Sequence, residues 1–474
     1  MNDSLDSAFL AYGGGSSSSV MHPLVLGFIF LITVLTFTLK RKYVVVPLIL
    51  GLLLIPAGQN LYIGGFHLYN YRLLVLVGFL RIGFSRVSSG APIFPGGFNT
   101  LDKVFLTWAL YHAVATSLLF REVGAVVNQI GFLWDALGGY VLLRSLIEDE
   151  VGALRAAKTL AVVAVVAATG MIYEQLKGQN LFAFLGGIRP VPEIREGRIR
   201  SQGVFGHALL AGAFGATVFF VLVWAWKRSK TWILPFIGMS ACLVMVFAAS
   251  TSTPLVAFVA GLFALCLWPF RSYMRLARWG MVVGIVGLHI VMKAPVWFIL
   301  GHIDLSGGST GSHRARLIDN FIRHFGDWWL LGTHDNVNWG WDMWDQCNQY
   351  ILEGQTGGLV AFVCFIAMIC IGYRWIGNAR KAAQGDKAKE WSFWILGAAF
   401  FAQTMAFIGV DYFDQSKAVW YLLLVIVTVA TMSSRDRLAA KTTALGDADI
   451  VRVPWRRYAS ETGQQLAGGR TLVK

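Results

Sequence analysis

Arginine is the residue type whose placement in this chain most needs a chemical reason. Arg189, Arg195, Arg198 and Arg200 fall in one hydrophilic stretch and Arg314, Arg316 and Arg323 in another, and neither segment, 178–201 or 301–347, holds a lysine. A segment that is merely solvated mixes the two basic types, whereas the planar guanidinium fork binds phosphate oxygens two at a time. The two segments are therefore expected to hold an anion. Histidines keep them company: His207, His302, His313, His324 and His334. No pair stands at i,i+4 with a glutamate between, so no metal site is expected. One histidine is better used as a general base that deprotonates a hydroxyl, and His313, beside Arg314, is the first candidate. Glu353 is the second; the bland alternative for it is an acid placed where a helix dipole begins. Trp328, Trp329, Trp339, Trp341 and Trp344 follow closely. They form either an interfacial aromatic belt or a platform for sugar rings, with Asp335, Asn336, Asn338, Asp342 and Asp345 taking the hydroxyls. Asp447-Ala448-Asp449 matches the metal motif of nucleotide-sugar transferases, but in the basic tail it reads as chance.

The elements that position these residues follow from composition. Of the 474 residues 56% are hydrophobic and only 14% charged, with a mean hydropathy of +0.59, where a soluble domain carries about 25% charge. The expected fold is all-α, a polytopic integral membrane bundle of 12 or 13 transmembrane helices with a large outer loop carrying an amphipathic helix. Apolar runs at about 22–39, 43–57, 69–85, 103–120, 128–145, 157–176, 202–226, 231–250, 253–270, 279–300, 348–373, 391–410 and 418–433 are the spans. The second and third are short and meet at Gly64-Gly65, so one of them can be a re-entrant piece. With the N-terminus outside, Lys40-Arg41-Lys42, Lys227-Arg228, Arg374 and the basic tail all lie inside, as the positive-inside rule asks, and both arginine segments lie outside. The expected organisation is a flexible N-terminal tail over 1–21, one bundle over 22–433 with outer loops at about 178–201 and 301–347, and a cytoplasmic basic tail over 434–474. The first apolar run lacks a basic leader and a cleavage site, so it is expected to stay as a helix.

The net charge of +14 is spread in small groups between apolar runs, so it argues for membrane topology and against nucleic acid. Four of the five cysteines sit in apolar runs and Cys347 in a loop, so no disulfide framework is expected. In the larger loop Leu317, Ile318, Phe321, Ile322 and Phe325 make a helical stripe, with Arg316, Asp319, Asn320 and Arg323 opposite. The Gly- and Ser-rich stretch 306–312 leads into it.

Three stretches, in order, resemble the O-antigen ligase and O-antigen polymerase superfamily of bacterial membrane glycosyltransferases. They are Arg200-Ser201-Gln202-Gly203 running to His207, then Ser250-Thr251-Ser252-Thr253-Pro254 at a turn between spans, then Asp345-Gln346-Cys347-Asn348 with Glu353-Gly354 and Gly357-Gly358. The resemblance implies transfer or polymerisation of a glycan from an undecaprenyl diphosphate lipid to an acceptor sugar hydroxyl, at the outer face of the inner membrane, with no metal or cofactor. It also implies the lipid-linked oligosaccharide, an acceptor glycan, the bilayer and other polysaccharide-assembly proteins as partners. Where the family often has a second arginine, this chain has Thr253-Pro254, and where it has a histidine before the asparagine, Cys347 stands. Arg314 or Arg316 and His313 or His334 must then supply those roles. Together the two readings make His313, Arg200, Arg314 and Glu353 the catalytic candidates. They place Arg198, His207, Arg316, Arg323, His334, Trp339, Trp341, Asp345 and Asn348 on the substrate. The alternative class is a multi-pass transporter of an organic anion or lipid-linked intermediate, which would favour charged sites at the bilayer midplane and an internal repeat. Neither is visible in the sequence.

Overall fold

Every one of the thirteen apolar runs overlaps a helix in the computed structural model, which describes residues 21–56, 58–63, 66–89, 93–302, 311–343 and 345–434. Both tails, Gly64-Gly65, residues 306–310, Trp344 and Asp447-Ala448-Asp449 lie outside the described residues. In chain order the first helices are α1 (Pro23–Thr38), α2 (Val45–Leu54), α3 (Asn70–Ser89), α4 (Thr100–Phe120), α5 (Val123–Leu146) and α6 (Glu150–Lys177). Then come α7 (Ala208–Arg228), α8 (Ile233–Ala248), α9 (Ser252–Cys266) and α10 (Met274–Val291). The amphipathic α11 (Gly311–Arg323) is followed by α12 (Gln349–Ala382), α13 (Lys387–Ala406) and α14 (Ser416–Ala430). Among the described residues two antiparallel hairpins depart from the helical pattern: β1 (Asn60–Ile63) with β2 (Phe66–Tyr69), and β3 (Glu193–Arg195) with β4 (Arg198–Arg200).

Seven helical segments among the described residues are long and apolar enough to cross a membrane, and Pro23–Thr38, Ile233–Ala248 and Ser252–Cys266 are shorter apolar helices. At 1.5 Å per residue the ten residues of α2 reach about 15 Å, half of a hydrocarbon core of about 30 Å. The second run is thus the short piece that the Gly64-Gly65 junction announces. The hydropathy pattern is reflected in burial. Almost every residue of α14 is buried, whereas α10 buries none, and its Leu276, Trp279, Ile290 and Val291 are all more than 60% exposed. An apolar helix exposed on this scale needs a nonaqueous neighbour.

Local chemistry marks the helix ends. Asn99 and Asp102 form a reciprocal capping box at the start of α4, Asp149 accepts from the Gly152 amide at the start of α6, and α6 ends on Gly178 in the left-handed region. Two acids inside the bundle are paired with arginine, as an interior of low dielectric favours. Asp102 accepts from Tyr140 at 2.6 Å and lies 3.6 Å from Arg144, and Arg72 holds Asp135 through two bonds of 2.9 Å where α5 widens to a π-helical turn.

Helix α12 is broken at Gly358, whose φ of +66° and ψ of −170° are open only to glycine. A Cβ there would fall 2.5 Å from the Leu330 carbonyl oxygen. The loop that approaches takes over the interrupted backbone bonds: Leu359 N–H donates to Trp329 O at 2.8 Å and Thr333 N–H to Gln355 O at 2.7 Å.

Candidate functional site

Strand β4 delivers Arg200, and the turn after it is held by a carboxylate from the neighbouring helix. Glu174, fully buried on α6, accepts the Gln202 and Gly203 amides at 2.9 and 2.7 Å, and Asn180 bridges Glu174 to the Gly203 carbonyl. Gly203 is required twice, by its φ of +60° and because a Cβ would lie 3.0 Å from the Ala167 carbonyl oxygen. The spacing Arg-x-x-Gly thus has a mechanical meaning: the glycine lets the chain close onto Glu174, and the arginine three residues earlier is fixed at the rim. Arg200 is 7% exposed and donates to Glu193 across the hairpin at 2.8 Å, with its Nε unpartnered. The other oxygen of Glu193 lies 3.7 Å from Nε2 of His207, which caps α7 through Nδ1. Burial, and then the Arg200 charge, lower the His207 pKa, with Glu193 opposing them. Burial thus favours the neutral ring of His207, with Nδ1 spent on the cap.

Helix α11 builds the second half. Its buried face runs through His313, Leu317 and Phe321 at intervals of four, while Arg316 and Arg323 point away and Ile322 and Phe325 remain about half exposed. The apolar stripe expected from the sequence is thus rotated so that His313 is on the inner side. His313 Nε2 lies 3.0 Å from the Asp345 carbonyl oxygen. A carbonyl can only accept, so Nε2 carries a proton, and in the neutral ring Nδ1 holds the lone pair. That Nδ1 is buried, has no hydrogen-bond partner, and lies 3.8 Å from the Asp342 carboxylate. Arg314 reaches the opposite way, donating through Nη2 to Gly409 O at 3.2 Å and lying against the Cys347 thiol. Burial pushes that thiol up to about 11 despite the guanidinium.

The three stretches meet at one end of the bundle. Ser201 N–H donates to Ala248 O and joins the first to the turn before α9. Thr253 Oγ1 donates to Gly409 O, the same carbonyl that Arg314 uses, and Gln349 N–H donates to Phe407 O. The loop between α13 and α14 is therefore the hub. The place where Thr253 stands is reached by Arg314, and His313 lies beside Cys347. Arg316 is exposed on the far face of α11, and His334 stands edge-on to Phe120 with ring centroids 4.7 Å apart, so neither takes these positions.

Several candidates have other work. Asn348 is the N-cap of α12, accepting from Tyr350 and Ile351 and donating to Ile408 O. Trp339 is buried in a satellite core with Phe321 and Trp328, stacked on His324 and bonded to Asp327, so it is no open platform; Trp341, 82% exposed, is free to be one. Arg323 pairs with Asp319 on the surface. Arg198 is exposed on β4, across from Arg195. Asp345 is exposed between the halves and acts electrostatically on His207 and Asp411. Glu353 is buried, accepting from Trp108 at 2.6 Å and Gln349 at 2.7 Å, and lines a cavity of about 210 Å³.

Residues missed in the sequence include Glu174, whose only signal was a lone acid in an apolar run, and Asp411. Burial pushes the Asp411 carboxyl up to about 6, with Asp345 adding to the rise. His313, Asp345 and Cys347 each bring a ligand atom within 4.8 Å of the others, a donor set that suits a borderline metal such as zinc, which the sequence did not lead us to expect. The Arg314 guanidinium against the thiol opposes a cation there. Comparison with protein-family models and with curated proteins finds no match for this chain.

Proposed function

We propose that this chain is a multi-pass membrane glycosyltransferase of the O-antigen ligase and polymerase kind, working at the outer face of a bacterial inner membrane. It transfers a glycan from an undecaprenyl diphosphate carrier to a hydroxyl of an acceptor glycan. The observation that carries the reading is the convergence of three stretches, with Arg314 and His313 beside the two positions, Thr253 and Cys347, where the resembling family differs. Seven apolar helices of spanning length support the membrane setting.

In this reading His313 Nδ1 takes the proton of the acceptor hydroxyl, and Asp342 steadies the imidazolium that results. The hydroxyl oxygen bonds to the anomeric carbon as the bond from that carbon to the diphosphate oxygen breaks. The electron pair stays on the diphosphate, where Arg314 and Arg200 stabilise the charge. Glu193 keeps the Arg200 side chain aligned until the anion arrives. The test is replacement of His313, Arg314 and Arg200 by alanine in the native host, with insertion verified and surface polysaccharide resolved on a gel. Loss of the polymer or its ligated form is expected in each; normal length and amount in all three variants overturns the reading.

A further inference from the structure

The cavity that Glu353 lines is not accounted for by the base and arginines. It lies between α4, α5, α12, α14 and the hub loop, with about 210 Å³ of space. One water needs about 10–15 Å³ of such space, so the cavity has room for a small ligand of the size of a sugar ring. Its wall is mostly aromatic, with Trp108, Phe132, Phe365 and Trp420 among the rings. Polar groups interrupt the rings at chosen points: Glu353 and Gln349 at the inner side, His112 bonded to Thr356 on the flank, and half-buried Asp411 and Lys417 where the wall meets the surface. Lys417 carries no ion pair among the described residues. Each oxygen of Glu353 accepts one bond, and each has a second lone pair or a proton left for a ligand.

This is poor ground for an acyl chain, which would set Lys417 and the spare acceptor capacity of Glu353 and Asp411 against hydrocarbon. It suits a ligand with apolar faces and a polar rim, the character of a pyranose. The cavity also adjoins the reaction centre. Asp411 is an electrostatic neighbour of Cys347 and Asp345, and Gln349, next to the cap Asn348, accepts the Tyr412 amide at 2.6 Å.

We propose that this cavity seats a single pyranose unit of the acceptor glycan, its ring against the aromatic wall and its hydroxyls on Asp411, Glu353 and Lys417. The acceptor is thereby recognised inside the bundle and not on the Trp-rich loop. The inference rests on the glycosyltransferase reading for the word acceptor, but the binding site stands on its own geometry.

The experiment uses the full chain in lipid nanodiscs and saturation-transfer NMR with glucose, galactose, N-acetylglucosamine and glucuronate, each at millimolar concentration. Saturable binding of at least one sugar is expected, weakened tenfold or more by Asp411→Asn and by Thr356→Phe, which fills the space, and unchanged by Trp341→Ala. Absence of saturable binding to any of the four overturns the proposal, as does binding that survives both cavity variants or is lost in Trp341→Ala. The two levels separate cleanly. Sugar binding through the cavity with normal polysaccharide in His313→Ala, Arg314→Ala and Arg200→Ala keeps the site and removes the function. Loss of polysaccharide in those variants with no sugar in the cavity does the reverse.

Discussion

The two arginine segments are built by opposite means. In the first, the backbone is the fixed object: Glu174 grips two consecutive amides, a hairpin aligns Arg200 with Glu193, and His207 spends one nitrogen capping α7. In the second, the side chains carry the unspent chemistry: α11 is an ordinary helix that leaves Nδ1 of His313 and Nε of Arg314 buried without partners. The first half behaves as a fixed jaw whose Arg200 already holds Glu193 and has only its Nε left over, while the second leaves unspent capacity on both an acceptor, His313 Nδ1, and a donor, Arg314 Nε. A buried polar atom with no partner costs about 1–3 kcal/mol, a cost that a ligand removes on arrival.

The largest expected effect breaks this contrast on the second side. His313→Ala lowers glycan transfer by about 10²–10⁴-fold, the usual range for losing a positioned base, with little change in thermal stability; transfer from lipid-linked donor in isolated membranes is the measurement. On the first side the signature is inverted. Glu174→Ala strips two amides and Asn180 of their acceptor and destabilises the protein by about 3 kcal/mol, and Gly203→Ala by about 1–2 kcal/mol through its left-handed conformation. Detergent-solubilised unfolding curves read both. If Glu174→Ala leaves the melting curve in place, the fixed jaw is a misreading.

The hub between the halves has its own pH signature. Asp411 has a folded pKa of about 6 against an ordinary 3.8. Its protonated form is favoured in the fold, so its contribution is fully present below about pH 4 and is lost as pH rises toward 6. Asp411→Asn removes that loss, and its melting temperature relative to the parent rises across pH 4 to 6. A difference that stays flat over this window contradicts the burial of that carboxyl. Smaller still, Asn348→Ala costs about 1 kcal/mol as a lost cap with no selective effect on transfer. Smallest is Arg323→Ala, an exposed i,i+4 partner of Asp319 worth under about 0.5 kcal/mol. A transfer defect in Arg323→Ala would move the anion site to the outer face of α11.

Much of this was legible in the sequence because hydropathy is a local signal. A run of apolar residues marks a helix whatever it packs against, and so all thirteen runs overlap helices, with α2 visibly short. The grouping of Arg200 with Gly203 and His207, and of His313 with Arg314, was also readable from adjacency. What was not readable depends on partners far away in the chain. Asn348 next to Cys347 looked like chemistry and is a cap, a role set by where the following helix starts. Trp339 and Trp341 are two residues apart, yet one is buried and the other exposed, because the loop folds on Phe321. Glu174 has meaning only through amides more than 25 residues away. The α11 stripe was off by a rotation because His313, a polar residue, belongs to the inner face.

The break in α12 also bears on how the chain is made. A helix interrupted at Gly358 has backbone groups that lipid cannot satisfy, each costing several kcal/mol if left bare, and the groups that do satisfy them come from residues 329–333. Those residues leave the ribosome before α12 does. The order of synthesis therefore places the splint ahead of the helix it mends, and a chain in which that loop were moved downstream would have to insert a broken helix unaided.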